Sequence, residues 1–261
     1  MPYQGESMLM YDKLSKVYFS PSKTTEKIVN EIAKNFELKQ ENYDLLSFDA
    51  EKQFEDELVI IGVPVFNRRI PKIACERLSK IKAKNTKAIV VLNYGNIDYG
   101  DALLELSEIL KKNNFQIIGI ATTVSQHSQF RELGLDRPDS LDMQKINEFS
   151  KKMIEKIEND TQNEIFVRGR KPYETYTKSD FALDCNEDLC IECLDCVYTC
   201  PEDAIMENTP TITNMDDCTS CSTCISVCSE NARSFSGEKF QKEYEDAITN
   251  SFERKEAEFF Y

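Results

Sequence analysis

The chain has 261 residues and a formal net charge of −14, room for one full core and a small second domain. Ten cysteines would suit a secreted disulfide scaffold, but eight of them fall in two regular runs, residues 1–7 have no basic and apolar leader, and no apolar run has membrane-spanning length. The expectation is a cytoplasmic protein with no membrane span, in an anaerobic setting. The charge is uneven. From Asp184 to Ser236 eleven acids stand against one base, Arg233, a formal −10 that repels nucleic acid and steers basic protein partners.

In chain order, residues 1–13 carry little pattern and read as an N-terminal arm. From Leu14 the sequence alternates between strand and helix signals. Val17-Tyr18-Phe19 reads as a strand. The turn Ser20 to Thr25 leads into a helix with Ile28, Val29, Ile32, Ala33 and Phe36 on one face. A second strand is expected at 43–48. The apolar run Leu58 to Val63 suits a parallel strand covered on both faces. A helix through Ile81 follows, burying Ala74, Leu78 and Ile81, with Cys75 as a small core residue. Strands at 88–92 and 115–121 flank a helix burying Leu103, Leu106 and Leu110. Asp139 or Ser140 caps a last helix that shows Met143, Ile146, Phe149, Met153 and Ile157 on one face. Five strands alternating with helices over residues 14–159 predict one doubly wound, five-stranded parallel α/β sheet. Residues 160–183 are polar and aperiodic and read as a linker. Residues 184–236 form the Cys-rich unit, and Phe240, Tyr244, Ala247, Ile248 and Phe252 mark a C-terminal amphipathic helix within 237–261.

The Cys-rich unit holds Cys190-x2-Cys193-x2-Cys196-x3-Cys200-Pro201 and Cys218-x2-Cys221-x2-Cys224-x3-Cys228. Both runs resemble those of the bacterial two-cluster ferredoxins, in which the fourth Cys of each run ligates the other cluster. That resemblance implies one [4Fe–4S] cluster on Cys190, Cys193, Cys196 and Cys228 and another on Cys218, Cys221, Cys224 and Cys200, in a small α+β ferredoxin-like domain. Two structural zinc sites are the alternative, but zinc usually pairs two C-x2-C knuckles, and two full runs overfill it. Cys185 lies outside both runs and reads as a plain thiol near a cluster. Ser229 stands where the first run has Pro201.

In a doubly wound sheet, ligands bind beyond the carboxyl ends of the strands, where strand order reverses. Three loops end strands there: 20–25, 64–71 and 93–100. The first is rich in hydroxyls and opens a helix, so Ser20, Ser22, Thr24, Thr25 and the local N–H groups suit a phosphate, although N-capping explains the same residues. Phe19 to Thr25 is similar to the FMN-phosphate loop of flavodoxins, Ser/Thr-x-Thr-Gly-x-Thr after the first strand. The order of the two units resembles the flavodoxin–ferredoxin fusion proteins of anaerobes, over residues 14–236. The resemblance implies FMN, held by Ser20, Ser22, Lys23, Thr24, Thr25, Pro64, Val65, Phe66, Asn67, Asn93, Tyr94, Gly95, Asn96 and Tyr99, with Phe66, Tyr94 or Tyr99 beside the ring. Lys23 departs from the family's glycine. It costs turn freedom if φ is positive and adds a cation near the phosphate. His127, the single histidine, has no Cys or Ser partner nearby in sequence and reads as structural or as part of the flavin rim.

The expected activity is relay of single electrons between two [4Fe–4S] clusters and FMN, with redox proteins bearing a basic docking face as partners. Two other readings stand beside it: a ferredoxin-dependent flavin reductase of a small substrate, and a ferredoxin carrying a flavin-free docking domain. No G-x-G-x-x-G follows a strand, and there is no Walker loop.

Overall fold

The computed structural model describes residues 11–161 and 163–261. Residues 1–10 of the expected arm and position 162 of the expected linker lie outside them. The first half runs β1 (Lys13–Tyr18), α1 (Thr24–Ala33), β2 (Lys39–Asp44), β3 (Lys52–Glu55), β4 (Leu58–Pro64), α2 (Lys72–Ser79), β5 (Ile81–Lys84), β6 (Lys87–Tyr94), α3 (Ala102–Lys112), β7 (Gln116–Val124) and α4 (Ser140–Glu158). β1, β2, β4, β6 and β7 are parallel and lie in the order β2-β1-β4-β6-β7. That is the flavodoxin-like order, and it places the reversal point between β1 and β4. Alternate residues along the strands feed two cores. Val59, Ile61, Val63, Val90 and Leu92 pack with α2 and α3. Leu58, Ile60, Ile89 and Val91 pack with α1 and α4. Both faces are therefore covered, as the unbroken apolar run at 58–63 requires. Gly62 is needed where α1 meets the sheet, because a Cβ there would come within 2.5 Å of Val29 Cγ2.

The second half runs β8 (Ala182–Cys185), α5 (Asp195–Tyr198), α6 (Thr223–Ser226), β9 (Arg233–Ser236), α7 (Glu238–Ser251) and β10 (Glu258–Phe260). β8 and β9 form an antiparallel pair. Leu183, Ala204, Ile205 and Phe235 make a small third core with Phe130 and Leu133 from the sheet half. α7 closes that core with Phe240, Tyr244, Ala247 and Ile248. Among the described residues, no helix is long and apolar enough to cross a membrane.

Several expectations are corrected. Among the described residues the sheet has six strands, since β10 adds to β7 antiparallel. Residues 237–261 are therefore not one helix: α7 stops at Ser251, and the tail turns back to the sheet. β1 begins at Lys13, inside the expected arm, because Lys13 pairs with Lys39. The second strand is 39–44, not 43–48. Its residues are largely exposed because it is the sheet edge, so they lack the apolar signal sought. Ile81 belongs to β5, not to the preceding helix, and β5 pairs with β3 in a separate two-stranded sheet that buries Phe54. The segment read as a linker is strapped to the sheet half. Asp101 accepts from the N–H groups of Arg170 (3.0 Å) and Glu174 (2.8 Å). Arg168 lies 3.7 Å from the Tyr99 ring centre.

One buried amide pins the turn of the tail at residues 251–255. Asn96 Nδ2 donates to the carbonyls of Ser251 (2.8 Å) and Glu253 (2.9 Å), and its Oδ1 accepts from Lys255 N–H (3.0 Å). Arg254 adds an ion pair to Asp139, the N-cap of α4, at 2.6 Å and holds its carboxyl below the usual range. Asn96→Gly keeps the turn free at φ 63° and removes all three bonds. It should lower unfolding free energy by about 2–3 kcal/mol in denaturant titrations. A loss under about 0.5 kcal/mol, typical of surface changes, would mean that other contacts hold the tail.

Candidate functional site

Four parallel strands end level with one another, and their loops meet in a cleft. Pro21, Ser22 and Thr24 follow β1, Pro64 to Asn67 end β4, Asn93 to Gly95 end β6, and 125–129 follow β7. The opposite wall comes from the strap (Tyr176, Ser179) and from Thr219, Ser220 and Cys221 of the Cys-rich half. Two bonds seat that wall: Ser220 Oγ donates to Ser179 O (2.8 Å), and Gln129 Nε2 donates to Ser220 O (2.9 Å).

Nine of the fourteen expected flavin contacts line the cleft: Ser22, Thr24, Pro64, Val65, Phe66, Asn67, Asn93, Tyr94 and Gly95. The other five do not. Ser20 is buried and its hydroxyl accepts from Glu26 N–H at 2.9 Å, so it caps α1. Thr25 lies buried beneath the turn. Lys23 has a left-handed backbone, φ 63°, of the kind that favours glycine, and its ammonium pairs with Glu26 (3.3 Å) and Asp44 (3.7 Å) instead of lining the cleft. Asn96 holds the tail. Tyr99 is buried behind Tyr94, edge-on at 5.4 Å, with its hydroxyl on Glu258. Burial, with Glu258 nearby, pushes the Tyr94 phenol up to about 12.

Asn93 ties these loops together. Its Nδ2 donates to Thr24 Oγ1 (3.1 Å) and Thr25 Oγ1 (3.4 Å). Its Oδ1 accepts from Thr123 (3.1 Å) and Ser125 (2.7 Å) hydroxyls. Asn93 therefore shapes the site while its own amide is spent. Ser22 Oγ and Thr24 Oγ1, 3.1 Å apart, remain at the opening of α1. Thr24 and Thr25 there have N–H groups with no intrahelical partner.

Of the loop after β7 the sequence reading offered only His127, as structural or as part of the flavin rim, and it missed the rest of that loop, the strap and the Cys-rich wall. A fourth strand end was the available signal for the first; nothing local marks the other two. His127 lies in that loop. Its Nδ1 accepts from the N–H groups of Gln129 (3.2 Å) and Phe130 (3.0 Å), which leaves the ring proton on Nε2. The ring stacks on Phe130 at 4.6 Å, and a Cβ on Gly95 would lie 2.4 Å from it. Desolvation lowers its pKa to about 4, although part of the ring surface stays exposed. We attribute this to the enclosed, doubly bonded Nδ1. A neutral imidazole suits a fixed wall with one N–H donor. Tyr94, Gly95 and His127 also border a wider trough of about 980 Å³, lined by Arg68, Arg170 and α7.

The eight Cys of the two runs fall into two hollows. Cys190, Cys193, Cys196 and Cys228 line one, with Cys185 beside them. Cys200, Cys218, Cys221 and Cys224 line the other. The fourth Cys of each run thus lines the hollow of the other run's first three. The backbone repeats with the sequence. Glu192, Leu194 and Asp203 have positive φ, and so do Ser220, Ser222 and Asn231, each 28 residues on. Ala204 N–H points at Cys200 Sγ (3.3 Å), and Ala232 N–H at Cys228 Sγ (3.2 Å). The thiols ring hollows, and among the described residues no three His, Cys, Asp or Glu converge on a single metal ion. The Thr219 and Ser222 hydroxyls are buried beside the second quartet without a protein partner. Burial pushes the Cys221 thiol up to about 11 and Cys224 to about 12, so as bare thiols they stay protonated. Cys75 is elsewhere, on α2 against Glu105, a half-buried thiol pushed up to about 12.

No protein-family model matches the chain, and no curated protein sequence matches it. Solved structures similar to it include a Fusobacterium nucleatum flavodoxin bound to flavin mononucleotide, 14% identical, covering 55% of this chain and 98% of that one, TM-score 0.39. A Streptococcus pneumonia TIGR4 flavodoxin is 12% identical over 55% of this chain and 99% of its own, TM-score 0.40. An NADH:FMN oxidoreductase in its apo form is 12% identical over 58% and 91%, TM-score 0.38.

His127 gives one isolated signal, since it is the single histidine. The unfolded ring titrates near 6.5 and the folded one near 4, so between these values the unfolded chain binds more protons. The neutral ring therefore stabilises the fold above pH 6.5, and that contribution is lost as pH falls toward 4. NMR titration of the imidazole should give a midpoint near 4 with the proton on Nε2. A midpoint near 6.5 would mean that the ring swings free of the Gln129 and Phe130 N–H groups.

Proposed function

We propose that the protein is an electron-transfer protein relaying single electrons between two [4Fe–4S] clusters and a bound FMN. One observation carries the reading: the cleft at the strand ends is walled on one side by Ser22, Thr24, Phe66 and Tyr94 and on the other by Cys221 of the second thiol quartet. A flavin carries one or two electrons and a cubane one, so joining the two lets paired and single electrons be exchanged. The residues fit both groups. Ser22, Thr24 and the opening N–H groups of α1 form an anion seat with no carboxylate on the cleft wall. Phe66, Tyr94, Gly95 and the 125–129 loop supply flat walls, and His127 contributes one fixed donor. For the clusters, the quartets supply four thiols each in a ferredoxin-like unit. N–H groups point at Cys200 and Cys228, and the Thr219 and Ser222 hydroxyls await acceptors. The setting is cytoplasmic and anaerobic, and the partners are redox proteins with a basic docking face. A second reading, ferredoxin-dependent flavin reduction of a small substrate, is favoured by the trough that shares Tyr94, Gly95 and His127 with the cleft.

Protein purified without oxygen should hold about eight iron, eight sulfide and one FMN per chain. Thr24→Asp sets a carboxylate against the phosphate seat and should lose the flavin while keeping its iron. The Thr25 equivalent is a poorer test, because Thr25 is buried. Cys200→Ser should disturb the cluster on Cys218, Cys221 and Cys224, read by EPR of the reduced variant. Stoichiometric zinc, or wild type that refuses added FMN, would end the respective half of this reading.

Reduction of a basic acceptor protein should slow with rising salt, as charges on a −10 segment are screened beyond roughly 8 Å at physiological ionic strength. A flat salt profile would move the docking face to the sheet half.

A further inference from the structure

The single base of the acidic segment is not on its surface. Arg233 is 3% exposed. It opens β9 opposite Cys185 of β8 and lines the first hollow with Cys190, Cys193, Cys196 and Cys228. Its guanidinium donates to Thr213 Oγ1 (2.9 Å) and to the Pro210 carbonyl, both neutral. Among the described residues no carboxylate forms an ion pair with it. A buried guanidinium satisfied only by neutral acceptors is costly unless a negative group compensates its charge.

The repeat makes the position informative. Moving back 28 residues from Arg233 gives Ile205, which is 3% exposed and lines the second hollow with Cys200, Cys218, Cys221 and Cys224. Two pseudo-equivalent walls thus differ by one full charge. The field of Arg233 also reaches Cys224 of the second quartet, and its partner Thr213 lines the second hollow, but of the two hollows Arg233 itself lines only the first.

We propose that Arg233 is a positioning residue that compensates the charge of the iron–sulfur cluster held by Cys190, Cys193, Cys196 and Cys228, and raises its reduction potential above that of the cluster beside Ile205. The inference rests on the iron–sulfur reading above. Reduction adds one electron to a cluster and no bond or proton. A fixed cation beside one of two like sites therefore favours that site's reduced state. The electron settles at the first quartet, away from the flavin cleft that Cys221 borders, until an acceptor takes it.

The test is an EPR-monitored redox titration of anaerobic holoprotein with dithionite, for wild type, Arg233→Met and Arg233→Lys. Wild type should show two separated midpoints. In Arg233→Met the higher should fall by at least the 59 mV of a tenfold one-electron change, with the lower moving less. Arg233→Lys should restore most of the gap. Iron release to a chelator gives a second readout, with about four of eight irons leaving faster in Arg233→Met only. If Arg233→Met loses one cluster on purification while Arg233→Lys keeps both, compensation is supported. Equal shifts of both midpoints, no shift, or no recovery with lysine would overturn the role of Arg233 and leave the relay standing. Wild type without iron would overturn both.

Discussion

The site depends on keeping four strand ends at one height, and Asn93 on β6 ties its own strand end to those of β1 and β7 with one side chain. Parallel strands end in loops with nothing to pair against, so loop positions are free unless something fixes them. Asn93 satisfies both ends of its amide: the Nδ2 end on the turn after β1, and the Oδ1 end on β7 and the loop after it. An aspartate would lose both donors, and a leucine would leave the Thr24, Thr25, Thr123 and Ser125 hydroxyls short of partners. The left-handed Lys23 sits within this frame. Its conformation is strained for a residue with a Cβ, and its two ion pairs, to Glu26 and Asp44, engage its charge on the far side of the turn.

The second wall of the cleft is brought in by polar straps. Residues 163–181 cross the sheet half on Asp101, Glu105 and Glu108, with Arg69 gripping Glu105 at 2.6 Å and lying over Tyr173. The tail returns by Asn96, Arg137 and Arg254 and ends in β10, where Phe259 stacks on Phe149 at 5.2 Å. Between the straps the apolar link is small: Phe130 and Leu133 reach from the loop after β7 into the core of the Cys-rich half. The same loop holds His127 against Gly95, so one segment both joins the halves and shapes the cleft.

What the sequence made legible follows from periodicity and spacing. The four inner parallel strands β1, β4, β6 and β7 were visible because both faces are buried, and the two Cys runs because their spacing is regular. β2 and β10 were not visible. One is a polar edge and the other is three residues long, and neither carries an alternating pattern. Tyr99 and Asn96 were expected at the cleft because they lie in the right loop. A loop, however, gives its residues different directions, and these two face the strap and the tail. The strap looked like a linker because its partners are charged residues scattered over 60 to 110 positions upstream, a pattern no local window contains.

The duplicated run also carries its own asymmetry. At matching positions the first loop has Ile191, Glu192 and Leu194, and the second has Thr219, Ser220 and Ser222. The first set is open to solvent: Ile191 is 63% exposed, and Cys193 is the exposed thiol. The second set is small and hydroxylic because it is packed against Ser179 and Gln129. A charged or bulky residue in place of Ser220 would hold the two halves apart. Two copies of one motif have thus diverged where their surroundings differ, one toward solvent and one toward the cleft. The thiol positions, whose geometry is common to both, stay in register 28 residues apart.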